Sequence, residues 1–480
     1  MKKKIILFAV IALIVATLCA ALYYRWDQEQ TYIQTDFGPI RRDTTELVLS
    51  ADFYPSTDVL SQLTCLTQID ARQVPLTAEE YESLKAAASN AVVLWKVPFR
   101  GDFLPEETAE ILLSDPEPSD LAMLRYFPAL HTVDLGLLQD FAVLTQLQSS
   151  YPQLTLRYSV SLNGAAFSHD VTRLELEDAD IAQVAAALPY LPAVQEVAFT
   201  GTAPANDAIY ELMTAFPDIS FLWDLEVFGT VTPNAATVLD LSGIPMKSTA
   251  EVEQYLKYFP KLERVEMCDC GISSEEMGAL CQRYPNIKFV WNIRIRGKAL
   301  RTDATAFIPF KLGFNIDTPL YDSDCKELKY CTDLICLDLG HMKLRDVSFL
   351  EHMPNMQYLV LVDMPCRDFT ALGNLKNLVY LELFNVWFTQ HDLLLNMTKL
   401  EDLNISSTPT ADIDVLRQMT WLDRLWITRT HLTKEQLREL QDVLPDTQVV
   451  YNAYHSTDKG WRNNDNYRKM RDLLGMFYMD

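Results

Sequence analysis

A spacing narrows the fold of this chain more than any single motif does. The frame L-x-x-L-x-L occurs as LICLDL, MQYLVL, LVYLEL, LEDLNI and LDRLWI, beginning at Leu334, Met356, Leu378, Leu400 and Leu422, each 22 residues after the last. A period held through four steps describes a solenoid, in which one strand and one return limb per unit bury their apolar edge only against neighbouring units. Position six of the frame is Leu339, Leu361, Leu383, Ile405 or Ile427. A second apolar series, Leu350, Leu372, Leu394 and Leu416, is followed three residues on by Met353, Leu375, Met397 and Met419, and supplies the inner layer of the return limbs.

These frames resemble the leucine-rich repeat, and the 22-residue period with its "L-x-x-L" limbs is similar to the internalin-type bacterial class. The resemblance implies an α/β leucine-rich-repeat solenoid: a curved parallel sheet with helices and irregular limbs on its convex side. One position departs from the pattern. Position nine, an Asn in the family, is here Met342, Met364, Val386, Thr408 and Thr430, so the loop ladder is expected to rest on apolar packing and hydroxyls and to be less regular.

The chain opens with three lysines, Lys2 to Lys4, before roughly twenty apolar residues, about the length that crosses a ~30 Å hydrocarbon core. Residues 1–26 therefore read as one N-terminal transmembrane helix acting as a signal anchor. The lysines stay cytoplasmic, Tyr23, Tyr24 and Trp26 sit at the outer interface, and the repeat body is extracytoplasmic on a single-pass cell-membrane protein. The rival reading is secretion after cleavage near Ala21. Residues 27–43 read as a linker or short N-terminal cap.

Net charge is −24, from 41 Lys and Arg against 65 Asp and Glu, which argues against nucleic acid as a partner because phosphate backbones need basic patches. Nine cysteines show no paired spacing of a zinc site, and Cys270 reads as a small buried apolar residue. A disulfide between two of the others stays open in an exported protein.

A longer period governs residues 44–309. Short apolar-x-apolar pairs at Leu47/Leu49, Ile111/Leu113, Leu174/Leu176, Leu239/Leu241 and Phe310/Leu312 each precede a second frame, making compound repeats. Trp95, Tyr158, Trp223 and Trp291 stand six residues before Gly101, Gly164, Gly229 and Gly297, on strands that alternate apolar and polar. Tyr151-Pro152, Phe216-Pro217 and Tyr284-Pro285 end helices, and Thr77 with Glu80, Ser273 with Glu276 and Thr433 with Gln436 begin them as capping boxes. Residues 310–460 read as the regular array, begun at Phe310, and the whole as one body of roughly eighteen parallel strands stacked about 4.8 Å apart. How the segments after Gly164 and Gly229 return, by a squeezed limb or a hairpin, stays open. Residues 461–480 place Tyr467, Met470, Leu473, Leu474 and Phe477 on one helical face, as a C-terminal cap, with the basic run Arg468, Lys469 and Arg471 as its solvated side. This end is also similar to the tail of anchored leucine-rich-repeat proteins of low-GC Gram-positive bacteria.

No G-x-S-x-G, G-x-x-x-x-G-K-[ST], H-E-x-x-H or EF-hand loop occurs, and His391-Asp392, an adjacent His-acid pair, lacks a nucleophile partner. The chain is therefore expected to be no enzyme and to hold neither metal nor cofactor, with an envelope hydrolase as the residual alternative. Binding has positive signals. Frame positions three, five, seven and eight face out from the concave sheet, because alternation turns four and six inward. The ligand surface is expected at Tyr358, Val360, Tyr380, Glu382, Phe384, Asp402, Asn404, Arg424, Trp426 and Arg429. Aromatic and Arg groups of this kind anchor interfaces, so the expected function is recognition of a protein or glycan partner by a monomer. A structural, self-associating envelope protein is the alternative.

Overall fold

In the array and the coils that carry ten-residue helices, step length goes with what the return limb holds. In the computed structural model, which describes residues 2–476 with side chains from residue 5 on, Ile69 pairs in register with Val93, 24 residues on, and the limb between them is the ten-residue helix Ala78–Ala87. The same 24-residue step from Val197 to Phe221, from Val265 to Phe289 and from Leu425 to Val449 carries the ten-residue helices Asn206–Ala215, Ser274–Arg283 and Lys434–Val443. Where the step is 22, from Leu337 through Leu359, Leu381 and Leu403 to Leu425, the limbs tighten to 3-10 turns of three to six residues. Capping boxes at Thr77, Ser273 and Thr433 start their helices, and Tyr151, Phe216 and Tyr284 close theirs ahead of proline. Phe477 and the side chains of Lys2, Lys3 and Lys4 lie outside the described residues.

The chain divides between Leu222 and Trp223 into two compact units. The first opens with the helix Lys2–Thr31, of which Ile5–Thr31 is long and apolar enough to cross a membrane. It does not end at Trp26. It runs into a short hairpin in which Tyr32 pairs with Arg41 and Ile33 with Ile40, and Arg42 donates from Nε to the Glu29 carbonyl at 3.2 Å. The stretch read as a linker is thus a tied junction. Three parallel ladders follow: Glu46–Val48 with Gln68–Asp70 and Val92–Leu94; Glu110–Leu112 with Thr132–Leu138 and Thr155–Leu162; and Arg173–Glu177 with Glu196–Thr200 and Ser220–Leu222.

The second unit holds one more three-stranded ladder, Val238–Asp240, Arg264–Glu266 and Lys288–Val290. It also holds a seven-stranded parallel sheet running in chain order from Ala306–Phe307 to Gln448–Val450. Each strand there is three residues long or shorter, so one residue per strand points inward at frame position four, and Leu337, Leu359, Leu381, Leu403 and Leu425 have no exposed surface at all. The limb series Leu350, Leu372, Leu394 and Leu416 is equally buried.

Two expectations are corrected and one open question is settled. The parallel strands among the described residues do not form one uninterrupted stack; they form five ladders, separated along the chain by antiparallel hairpins. Those hairpins settle the segments after the glycines: Arg100-Gly101, Asn163-Gly164, Phe228-Gly229 and Arg296-Gly297 all have positive φ at both positions, the two-residue turn that matches the twist of hairpin strands. Trp291 sits where parallel pairing gives way to the hairpin, donating its N–H to Thr302 Oγ1 at 3.1 Å. The fifth unit begins at Phe307 rather than Phe310, because Pro309 opens a 3-10 turn over Pro309–Leu312 and leaves Phe310 exposed.

The loops of the array are regular despite position nine. Backbone N–H groups at position six of each coil and at position eight of the first four bond the next coil, as in Leu361 to Glu382 O and Asp363 to Phe384 O. Position eight, in the left-handed region in every array coil, is His341, Asp363, Asn385, Ser407 or Arg429. Its side chains make a ladder of their own, Asn385 Nδ2 donating to Asp363 Oδ1 at 2.7 Å and His341 Nδ1 lying 3.0 Å from Asp363 Oδ2. Thr408 and Thr430 bond carbonyls of their own turns. All nine cysteines are free thiols, and Cys270 is buried with its S–H on the Leu241 carbonyl.

Candidate functional site

The sheet face turned away from the limbs is where the expected ligand residues gather, and the alternation of each strand does bring them together. Column three is Cys336, Tyr358, Tyr380, Asp402 and Arg424, paired in register from strand to strand. Column five is Asp338, Val360, Glu382, Asn404 and Trp426. These residues were expected to be open. Instead Tyr358, Val360, Tyr380, Glu382, Asp402, Asn404 and Trp426 are buried, Phe384 and Arg424 are half-buried, and Arg429 alone is exposed.

The cover is the chain's own end. After the last strand the backbone turns over residues 454–462 and returns across the face, ending in the helix Asp465–Leu473. Trp461 is fully buried at its centre, with ring centroids 5.2 Å from Tyr380 and 5.1 Å from Trp426, and the Arg424 guanidinium 4.6 Å above it. Its indole Nε1 donates to Glu382 Oε1 at 2.7 Å, and the Tyr380 hydroxyl donates to the same oxygen. Burial, with Glu382 beside it, holds the Tyr380 hydroxyl well above its ordinary range.

The sheet also reads main-chain carbonyls of the returning segment. Asn404 Nδ2 donates to Ser456 O at 2.8 Å, Trp426 Nε1 to Asp458 O at 2.9 Å, and Arg424 Nη1 to Trp461 O at 3.0 Å. Asp402 is the polar hub. It takes Arg424 Nε at 2.5 Å, Asn464 Nδ2 at 2.5 Å and Asn466 Nδ2 at 2.8 Å, and Asn466 reaches Glu401 as well at 2.7 Å. Asn464 works twice, since its Oδ1 caps the helix by accepting from the Tyr467 N–H. On the helix, Met470 and Leu474 join the apolar cluster of Ile308, Cys336, Tyr358 and Val360. Tyr467, Met470, Leu473 and Leu474 do share the expected face, but that face covers the sheet rather than an end of the array.

Electrostatics at the edge of this cover are tense. Burial pushes the Asp338 carboxyl up to about 6, Gly340 N–H opposing and Glu382 adding to the rise. Asp423 is raised for the same first reason, burial, with Glu401 and Asp402 contributing. The sequence reading missed Trp461, Asn464, Asn466 and Met470 as partners of this surface. A signal existed: in a chain of net charge −24, the short stretch 459–471 carries Lys459, Arg462, Arg468, Lys469 and Arg471, opposite columns rich in carboxylates.

In-register parallel strands one coil apart, each with its leucine at position four and a short limb behind, decide the architecture. It is a leucine-rich-repeat fold. No protein-family model matches the sequence, and none of the curated proteins does. Among solved structures the chain is similar to an internalin of Listeria monocytogenes, at 12% identity over 92% of this chain and 90% of that one with a TM-score of 0.26. It is similar to internalin C2 of the same organism at 18% identity over 47% and 86%, TM-score 0.25. It is also similar to a leucine-rich-repeat protein of Leptospira interrogans at 13% identity over 84% and 93%, TM-score 0.25. At this level of overlap the coil geometry above is what carries the fold assignment.

Among the described residues no group of three or more His, Cys, Asp or Glu side chains is placed to hold a metal ion. His391 lies in a limb with Nε2 2.9 Å from Thr410 Oγ1, and burial lowers its pKa.

Proposed function

We propose that this is a membrane-anchored, extracytoplasmic leucine-rich-repeat protein that recognises a polypeptide partner through the concave face of its seven-stranded sheet. The observation that carries the reading is that this face already holds a polypeptide, with three side chains of two successive coils bonded to main-chain carbonyls and an indole seated among Tyr380, Trp426 and Arg424. Carbonyl-reading donors and an aromatic anchor suit a peptide better than a glycan, whose recognition relies on paired donors and acceptors for hydroxyls. The apolar helix Ile5–Thr31 supports anchoring. A bacterial envelope setting belongs to the same reading.

Two measurements test it. Protease added to intact protoplasts is expected to digest the repeat body and leave a small membrane-held fragment; recovery of the body in the medium supports release near Ala21 instead. A photo-crosslinking residue at Phe384 or Arg429, at the rim of the face, is expected to join a protein partner, while one at Lys376 on the limb side is not. Crosslinks from Lys376 alone move the binding surface to the limbs.

A further inference from the structure

We propose that the groove is shaped for a basic, tryptophan-bearing segment of a partner protein, and that residues 456–476 are an exchangeable stand-in for it. This rests on the concave-face reading above.

The charges are complementary and local. The groove presents Asp338, Glu382, Glu401, Asp402 and Asp423 around Arg424; in the stretch 459–471, whose five basic residues outnumber Asp465, Arg462 acts on Asp338 while Arg468 pairs with Asp465 beside it. Opposed potentials across an interface set partner choice and encounter rate more than they set raw affinity. The interface is also more polar than a fixed lid requires. An apolar cover on a repeat array avoids desolvating carboxylates, whereas buried, hydrogen-bonded carboxylates such as Glu382 and Asp402 reject a segment that cannot supply an indole N–H and two amides. Attachment permits exchange. The segment joins the sheet only through Tyr451–Ser456, after the last strand Gln448–Val450, and Tyr454 in that connection is 74% exposed. Lifting it breaks no coil of the ladder.

The test uses the full chain in detergent with Trp461→Ala, which removes the anchor and leaves the covalent tail in place, and a fluorescent peptide of residues 455–476. Saturable binding to the variant, with at least tenfold weaker binding to the wild-type chain, is the expected result. A peptide carrying Trp461→Ala is expected to bind at least tenfold more weakly, and one carrying Arg462→Glu with Lys469→Glu to weaken similarly at low salt. A folded variant that takes up no peptide overturns the proposal. So does a variant that no longer folds, because the segment is then an obligatory part of the core; Asn464→Ala, a milder loosening, repeats the measurement and must show the same uptake. Equal binding of the Arg462→Glu, Lys469→Glu peptide overturns the basic preference. Crosslinking of a partner at Phe384 without any peptide uptake leaves the concave-face reading standing and removes only the stand-in.

Discussion

The three-stranded ladders and the seven-stranded sheet are built from the same coil yet end with opposite faces. On the first, outward positions of the leading strands are charged or singly apolar and stay open, as at Glu46 and Val48, Glu110 and Leu112, Arg173 and Glu175, while Thr132, Ala198 and Val290 on later strands are buried. Arg173 pairs with both Glu175 and Glu196 at the surface, the kind of exposed pair worth little in stability. On the second, the outward positions hold Tyr358, Val360, Tyr380 and Trp426, and a segment of the chain covers them. The difference teaches that the coil fixes only the inward leucines. What stands at positions three and five decides whether a ladder is a finished surface or half of an interface.

The sharpest break of this comparison is a charge at the one position both kinds of ladder share. Leu381→Asp places an unpaired carboxylate in the interior and is expected to cost several kcal/mol, read as loss of the cooperative thermal transition. Next is Trp461→Ala, which empties a fully buried indole site and is expected to cost about 3–5 kcal/mol if the emptied site does not collapse. Tyr380→Ala with Trp426→Ala, which an open groove would tolerate, is expected to destabilise on a similar scale, since both side chains have no exposed surface. A melt unchanged by this pair would mean the face is not covered in solution.

A smaller effect follows from Asp338. Its folded value of about 6 lies above that of an unfolded aspartate, so the native state binds the proton more tightly. Stability from this group is fully present below about pH 4 and lost as pH rises through 6, by on the order of 2 kcal/mol. His391, held neutral by burial, acts in the opposite sense on acidification, so the comparison is between the wild type and Asp338→Asn, whose melting temperature should gain less between pH 7 and 5. Smallest is Val48→Ala on the open face of the first ladder, expected within about ±0.5 kcal/mol in the same melts. A large loss there would show that this face, too, has a cover.

Much of the fold was legible because its signals are local. Leucines at 22-residue intervals, capping boxes and aromatic-proline stops each fix one coil or one helix end with residues a few positions apart. The hairpins were half-legible: the glycines were visible at a constant distance from Trp95, Tyr158, Trp223 and Trp291, but only the left-handed residue before each glycine distinguishes a turn from a limb. The start of the array at Phe307 was misread because Phe310 and Leu312 imitate the alternation that Pro309 forbids. The covered groove was illegible from periodicity. Columns three and five reveal which side chains share a face; what lies over them depends on contacts such as Cys336 with Met470, 134 residues apart, which no repeat encodes.

That separation also sets a timetable. Coils close against neighbours 22 residues away and can form in order as the chain is made, whereas the segment that covers the sheet is synthesised after every strand it touches. Until residue 461 emerges, Tyr380 and Trp426 stand uncovered and Glu382 lacks its indole partner, so each molecule passes through a stage in which the groove is open to other chains. Folding speed in this last step, rather than the stability of any coil, governs how long the groove of a newly made molecule stays uncovered.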